Sequence, residues 1–445
     1  MFIKTQRTKF HRVLSAGISF VLASSMMPAF PVWAADYPDS VPTLTEEEKR
    51  IPDVKKAGSI PASEDTITYE QPFAPFTAGC ENFRIPTLLT IQNGKHKGTL
   101  VASGDARWEE WNDGGGIDSI ASISDDGGKT WNYSFPIYFP DSYGYSGRAA
   151  TTIIDPGVVE GADGTLYFIA DVNPTGSTTM YKTIGTGSGY VTVNGERYQA
   201  LTQDYNISWN TTPTDDNLTN YPYYVDSFDE DGFAQILKRE DSSGTGYGVD
   251  EWFNLYEYED GKYKDTLERS TVVNDSSKKI QQNCFYKDSM FHVYSIDYLW
   301  VVQSKDGGRT WEHPRDITDQ IKRPASTGEG AILVSPGKGI VTSKGDSVIG
   351  IYNTLNNESA SMLYTKDGKT WKRTQDVQNR RTKTSENEIV ELKDGTLRMF
   401  YRSNNDKISY ADITKDENED YVMGSEVETD VNVVSNCNVS VISYS

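Results

Sequence analysis

Cysteine, histidine and positive charge are all scarce in this 445-residue chain. Its three cysteines, Cys80, Cys284 and Cys437, are far apart and odd in number, which favours buried thiols over a disulfide framework. The four histidines are scattered and lack the spacing of a zinc site. We therefore expect neither a metal centre nor a cofactor.

Long apolar runs are missing except near the start. The segment MFIKTQRTKFHR has four cationic residues and no acidic one, and VLSAGISFVLASSMMPAF and VWAAD follow it. This order is typical of a signal peptide, residues 1–34, cut after Ala34, and it predicts a secreted or extracellular protein. No later segment approaches the ~20 apolar residues of a membrane helix, so we expect no membrane insertion. Residues 35–75, rich in Pro, Glu, Asp and Lys, are expected to form a linker.

Acidic residues outnumber basic ones by 64 to 43, and four of the basic residues lie in the leader. Such a chain is a poor partner for nucleic acid or anionic membranes. An anionic substrate would need a local cluster of cations. Arg84 in ENFRIPTLLT is one candidate, because a guanidinium inside an alternating strand requires a carboxylate or a ligand as partner.

Two kinds of segment repeat along the chain. SDDGGKTW (124–131) and SKDGGRTW (304–311), with the shorter TKDGKTW (365–371), combine an Asp that accepts backbone N–H groups, glycines for positive φ and a packing Trp. Turn-and-strand segments recur in step with them: KGTLVASGDARW, DGTLYFIADV, GDSVIGIYNT and DGTLRMFYRS. Repeated units of four short strands indicate an all-β chain folded as a β-propeller.

One spacing in the repeat is far too long. Residues 171–298 separate two parts of a single unit, so they predict a small inserted β-rich domain between the propeller parts 76–170 and 299–445. The insert holds 14 of the 27 tyrosines. Packing in the core of the insert is the favoured role for these rings, with stacking on sugars as the alternative.

The order of several short motifs resembles that of the bacterial sialidases, which are exo-acting glycoside hydrolases. The matching segments are FRIP at 83–86, DARW with its downstream Asp at 105–113, IIDP at 153–156 and SENEIVELKDG…R at 385–402. The resemblance runs from about residue 78 to the end of the chain. It implies a six-bladed β-propeller, of which about four blades and the start of a fifth are present.

The resemblance also implies roles for individual residues. Arg84 and Arg402 correspond to two members of the family's arginine triad, which grips the carboxylate of the substrate with planar guanidinium forks. Arg107 and Asp155 would line the pocket for the 4-hydroxyl and acylamino groups of the sugar.

Two carboxylates are expected to carry the chemistry. Glu386 would be the base that activates a tyrosine nucleophile, which this family uses because the substrate's own carboxylate repels an Asp or Glu. Glu388 shares the strand face with Glu386 and is the alternative base. Asp113, in the glycine-rich loop WNDGGGI, is the expected acid/base, and its rival Asp105 is expected to support Arg107.

The resemblance therefore implies a retaining exo-α-sialidase that acts on sialylated glycans or glycoproteins. A non-catalytic sialoglycan-binding propeller, of adhesin or lectin type, is the alternative, and a glycosidase acting on another sugar acid is a third. The third triad arginine and the tyrosine nucleophile have no match, and Tyr444 falls where the family has a structural strand. The chain is therefore expected to be a truncated copy, or a degenerate protein, and to hydrolyse sialosides poorly or not at all.

Overall fold

The structure is a computed structural model that describes residues 57–60, 71–74, 76–80, 82–108, 111–142, 150–175, 185–205, 218–266, 268–272, 275–355, 357–432 and 438–442. The expected signal peptide, Cys437 and Tyr444 lie outside these residues, and so does most of the expected linker. Within the described ranges, Cys80 and Cys284 are both buried. None of the helices in those ranges is long and apolar enough to cross a membrane.

Strands dominate the described residues. The first fifteen, in chain order, are β1 (Ala57–Ile60), β2 (Asn82–Thr90), β3 (Leu100–Arg107), β4 (Ile117–Ser124), β5 (Trp131–Ile137), β6 (Thr152–Glu160), β7 (Leu166–Asn173), β8 (Tyr190–Val193), β9 (Glu196–Thr202), β10 (Tyr223–Val225), β11 (Phe233–Lys238), β12 (Gly244–Asp250), β13 (Leu255–Glu259), β14 (Lys262–Thr266) and β15 (Glu268–Val272).

The later strands are β16 (Asp275–Gln281), β17 (His292–Val293), β18 (Tyr298–Ser304), β19 (Arg315–Asp316), β20 (Ile332–Val334), β21 (Gly337–Lys338), β22 (Ile340–Val341), β23 (Ser347–Asn353), β24 (Ser359–Thr365), β25 (Trp371–Arg373), β26 (Asn387–Glu391), β27 (Leu397–Tyr401), β28 (Lys407–Lys415), β29 (Tyr421–Met423) and β30 (Val427–Asn432). The helical elements are α1 (Thr318–Ile321) and the 3₁₀ turns Thr77–Gly79, Pro140–Ser142 and Ala325–Thr327.

Sixteen of the described strands form four four-stranded antiparallel units. These are β2-β3-β4-β5, β6-β7-β18-β19, β20-β23-β24-β25 and β26-β27-β28-β29. The predicted all-β propeller architecture is confirmed, whereas the number of six blades stays a prediction. Neighbouring units touch through parallel pairs, since β4 pairs with β6 and β21 also pairs with β6. Strand β1, inside the region predicted as a linker, pairs with β5.

A second sheet lies between β7 and β18 in the sequence. It has eight strands in the order β14-β13-β12-β11-β10-β9-β17, with β8 on β9, and β15 and β16 form a separate hairpin. β7 and β18 pair with each other along their length, so the chain leaves a blade after Asn173 and re-enters it at Tyr298. Phe285 from the inserted part packs against Trp300 of the blade, with ring centroids 5.1 Å apart. The domain boundaries themselves stay a prediction.

The three turn motifs are built as their residue types suggest. Asp126 Oδ1 accepts the N–H groups of Lys129 and Thr130 at 3.0 and 2.9 Å. Asp306 makes the same pair of bonds at 3.0 Å each. The turns follow β4, β18 and β24, at the ends of these strands that lie away from Arg107. They therefore belong to the scaffold and not to the site described below.

Close packing between the third unit (β20-β23-β24-β25) and the fourth (β26-β27-β28-β29) positions one of the predicted site residues. Gly350 lies against Asn387, and a Cβ at Gly350 would overlap Asn387 Oδ1 and lie 2.8 Å from the Asn387 carbonyl oxygen. The Asn387 side chain donates to the carbonyls of Ile351 and Ser385, each at 3.0 Å. Glu386 directly precedes Asn387 in the chain, so this contact also fixes the position of Glu386.

We expect Gly350→Ala to destabilise the protein by about 1–3 kcal/mol, because the added methyl has no room beside Asn387. The matched control is Gly244→Ala, at a strand position where the nearest atom to an added Cβ lies 3.5 Å away. Urea unfolding of both variants measures the difference. Equal stability of the two variants would show that the contact at Gly350 is not tight.

Candidate functional site

Two prolines interrupt the first strands of adjacent units at the same end of the fold. Ile85 and Asp155, each directly before a proline, have φ of 57° and 56°, and the register of β2 and β6 shifts at these points. A positive φ strains a side-chain-bearing residue, and such bulges redirect the side chains near them. The two bulges thus interrupt the regular alternation of side chains along β2 and β6, and they determine the directions in which Arg84 and Asp155 point.

A buried ion pair lies behind these bulges. Arg107 donates from Nη2 and Nε to Asp105 Oδ2 at 2.6 and 3.1 Å, and both side chains are 0% exposed. The other oxygen of Asp105 accepts the backbone N–H of Asp155 at 3.1 Å. Burial raises the pKa of Asp105 to about 6, although the charge of Arg107 opposes the shift. This pair ties the end of β3 to the bulge in β6.

Asp113 lies between two arginines. Its Oδ1 accepts from Arg107 Nη1 at 2.6 Å and from Arg84 Nη1 at 3.0 Å. The same two nitrogens donate to the carbonyl oxygen of Trp111, at 2.7 and 3.1 Å. The side chains of Arg84 and Asp113 are 40% and 36% exposed, whereas that of Arg107 is fully buried. The partner of Arg84 in the structure is therefore the loop that carries Asp113.

Glu386 and Arg402 form a second pair at the ends of β26 and β27. Arg402 Nη1 lies 2.8 Å from Glu386 Oε2, and their side chains are 25% and 15% exposed. The Arg402 N–H also donates to the Glu386 carbonyl at 2.7 Å, which continues the strand pairing by one residue. Glu388 is engaged elsewhere, since it accepts the N–H of Val441 at 2.9 Å. Of the two glutamates, Glu386 is therefore the one beside an arginine.

Asp155 joins the two groups electrostatically. Burial raises the pKa of Asp155 well above its usual value, and the negative charges of Asp105 and then Glu386 raise it further. Burial also raises the pKa of Tyr352, with additional contributions from Asp155 and Glu386. All six predicted residues thus lie at one end of the propeller: Arg84, Arg107, Asp113, Asp155, Glu386 and Arg402.

Tyr352 and Trp111 are parts of this region that the sequence does not single out. Tyr352 belongs to the ordinary alternating strand GDSVIGIYNT, in which a tyrosine carries no signal of a site. Its position on β23 opposite Leu333 brings it close to the carboxylates of two other units. Trp111 contributes through its backbone carbonyl. Because every residue type has this group, the sequence does not predict the contribution.

The arrangement can bind an anion and move protons. Two partly exposed guanidinium groups, Arg84 and Arg402, are available for a carboxylate, and each stands beside a carboxylate of the protein, Asp113 or Glu386. Among the described residues no group of His, Cys, Asp and Glu has the makings of a metal site. Acid/base chemistry on an anionic substrate is what these side chains support.

Comparison with known proteins points in one direction. A family model described as a BNR repeat-like domain matches residues 250–441. Sialidase B of Streptococcus pneumoniae serotype 4 is 27% identical in an alignment 356 residues long that covers 72% of this chain and 45% of that protein. The chain is thus similar in sequence to a sialidase over most of its length. The anhydrosialidase of Macrobdella decora is likewise 27% identical, over 74% of this chain and 43% of that protein.

The fold agrees with this relationship. A solved structure of a NanB sialidase variant from Streptococcus pneumoniae superposes with a TM-score of 0.64 at 25% identity, over 83% of this chain and 56% of that one. The chain spans less than half the length of the curated relatives it matches. It shares with these sialidases both sequence and propeller fold.

We expect Arg107→Met to destabilise the protein by about 3–5 kcal/mol, because it leaves the carboxylate of Asp105 buried without its partner. Arg84→Met removes a guanidinium that is 40% exposed, and we expect it to cost less than about 1 kcal/mol. The free energies of unfolding in urea give both values. Similar losses for the two variants would contradict the different roles assigned to the two arginines.

Proposed function

We propose that this protein is an exo-α-sialidase that removes terminal sialic acid from glycans or glycoproteins with retention of anomeric configuration. The observation that carries the proposal is the pairing of two accessible arginines, Arg84 and Arg402, with two carboxylates, Asp113 and Glu386, at one end of a sialidase-like propeller. The cationic, leader-like start of the chain supports secretion as part of the proposal.

The arginines recognise the charge that distinguishes the substrate. Sialic acid has a carboxylate on its anomeric carbon, and guanidinium groups bind such a group with paired hydrogen bonds. Arg84 and Arg402 would exchange part of their contact with Asp113 and Glu386 for this carboxylate. Arg107, buried against Asp105, holds Asp113 in place, and the same Asp105 holds the backbone of Asp155, which would face the sugar beside them.

The carboxylates divide the proton transfers. Asp113 would protonate the glycosidic oxygen as the leaving group departs, and it would later activate the incoming water. Glu386 would accept the proton of a tyrosine that attacks the anomeric carbon, because a neutral phenol is not repelled by the substrate's carboxylate. No described residue is assigned as that tyrosine. Attack first by the tyrosine and then by water gives net retention.

Binding tests the arginine assignment on the 445-residue chain itself. We expect the chain to bind 2-deoxy-2,3-didehydro-N-acetylneuraminic acid in a calorimetric titration. Arg402→Met should weaken binding about 10- to 100-fold, the worth of a lost charged hydrogen-bond pair. The control is Arg398→Met, four residues earlier within β27, with a similar exposed fraction but paired to Asp412. Absence of binding, or equal losses in both variants, would refute the proposal.

The product tests the chemistry. Any sialic acid released from an aryl sialoside should appear first as the α-anomer by proton NMR, and Glu386→Gln should abolish release while leaving binding of the same analogue nearly intact. The β-anomer as first product would contradict retention. The likeness to an anhydrosialidase favours intramolecular transfer as a second candidate outcome. A product lighter than sialic acid by one water would identify it.

A further inference from the structure

We infer that the indole of Trp111 is the platform on which the leaving-group sugar of the substrate packs, so that it recognises the neutral hexose to which sialic acid is attached. The inference rests on the proposed function, because it assigns the subsite next to the proposed acid Asp113. It concerns the part of the substrate beyond the sialic acid.

The backbone of Trp111 is part of the site. Its carbonyl oxygen accepts hydrogen bonds from both Arg107 and Arg84, at 2.7 and 3.1 Å, and therefore points at the two guanidinium groups. Asp113, two residues later, accepts from the same two nitrogens. Any motion of Trp111 relative to Asp113 would break contacts that both residues make to the same arginines.

The loop that carries Trp111 is also fixed further along. Asn112 Oδ1 accepts the N–H of Gly114 at 3.0 Å. Thr152 of the neighbouring unit donates its hydroxyl to the carbonyl of Gly115 at 2.9 Å. Trp108 N–H donates to the carbonyl of Gly116 at 3.1 Å. The loop that carries the indole is thus fixed by these hydrogen bonds, so that ligand binding does not have to order its backbone.

The indole itself faces solvent. Trp111 is 71% exposed, whereas Trp108, Trp300 and Trp371 are each at most 1% exposed. The other large apolar side chains that are exposed among the described residues are Leu88, Phe228, Val422, Val427, Val431 and Ile442. Trp111 is thus the one tryptophan in that set, and its carbonyl contacts the arginines of the site. An exposed indole at a site rim is an apolar surface ready for a partner.

The chemistry of the proposed acid decides which partner. A general acid must lie within hydrogen-bond reach of the glycosidic oxygen that it protonates. The sugar bonded to that oxygen on the leaving side therefore lies against residues 111–113. A pyranose ring of the galactose type has one face made largely of C–H groups, and such a face packs on an indole with the loss of apolar surface from water.

The test compares two ligands that differ in the leaving-group sugar. We expect the 445-residue chain to bind 3′-sialyllactose about tenfold more tightly than the methyl α-glycoside of sialic acid, the size of one good aromatic contact. Trp111→Ala should bring this ratio of dissociation constants close to one, and Trp111→Phe should keep part of it. Phe228→Ala, which removes an exposed aromatic side chain elsewhere, should leave the ratio as it is.

Saturation-transfer NMR gives an independent reading. Saturation of the protein should reach the C–H protons of the galactose ring of 3′-sialyllactose in the unaltered chain and be lost from them in Trp111→Ala. A ratio near one in the unaltered chain, or an equal loss for both ligands in Trp111→Ala, would overturn the inference and leave the proposed function standing. Failure of the unaltered chain to bind either ligand would instead reject the proposed function.

Discussion

The buried pair of Arg107 and Asp105 is the interaction on which the site depends. Two opposite charges removed from water are tolerable only when their remaining hydrogen-bonding groups are satisfied. Here those groups connect the site: one oxygen of Asp105 holds the backbone of Asp155, and one nitrogen of Arg107 holds Asp113 and the carbonyl of Trp111. A single pair thereby relates the first strand of one blade to a loop of another.

The other half of the site, Glu386 and Arg402, is positioned by a contact between two blades. The Gly350 and Asn387 contact brings the fourth unit close enough to the third for Glu386 and Arg402 to face the same end of the propeller. Asp155 is then surrounded by carboxylates from both sides, and its pKa is raised for that reason as well as by burial. Because a raised pKa favours the uncharged form of a carboxyl group, this shift lessens the repulsion that an anionic ligand would meet there.

The sequence predicts this site unevenly. Arg84, Asp113, Glu386 and Arg402 stand in short motifs whose order along the chain is informative, and the repeats predict the propeller that brings such distant residues together. The contribution of Tyr352 depends on strand register across blades, which one strand's alternation does not contain. The role of Trp111 depends on its carbonyl and on exposure, and both are properties of the folded loop alone.

The arginines meet a carboxylate of the protein where the proposed mechanism has them meet a carboxylate of the substrate. Arg84 pairs with Asp113 and Arg402 with Glu386, so that binding exchanges one charged partner for another. The net affinity for the anionic group is then the difference between two similar free energies, that of the arginines with the substrate carboxylate and that of the arginines with the carboxylates of the protein. Contacts to the uncharged parts of such a substrate would consequently have a large share in selectivity, and an exposed indole on a hydrogen-bonded loop beside the proposed acid is well placed to provide one.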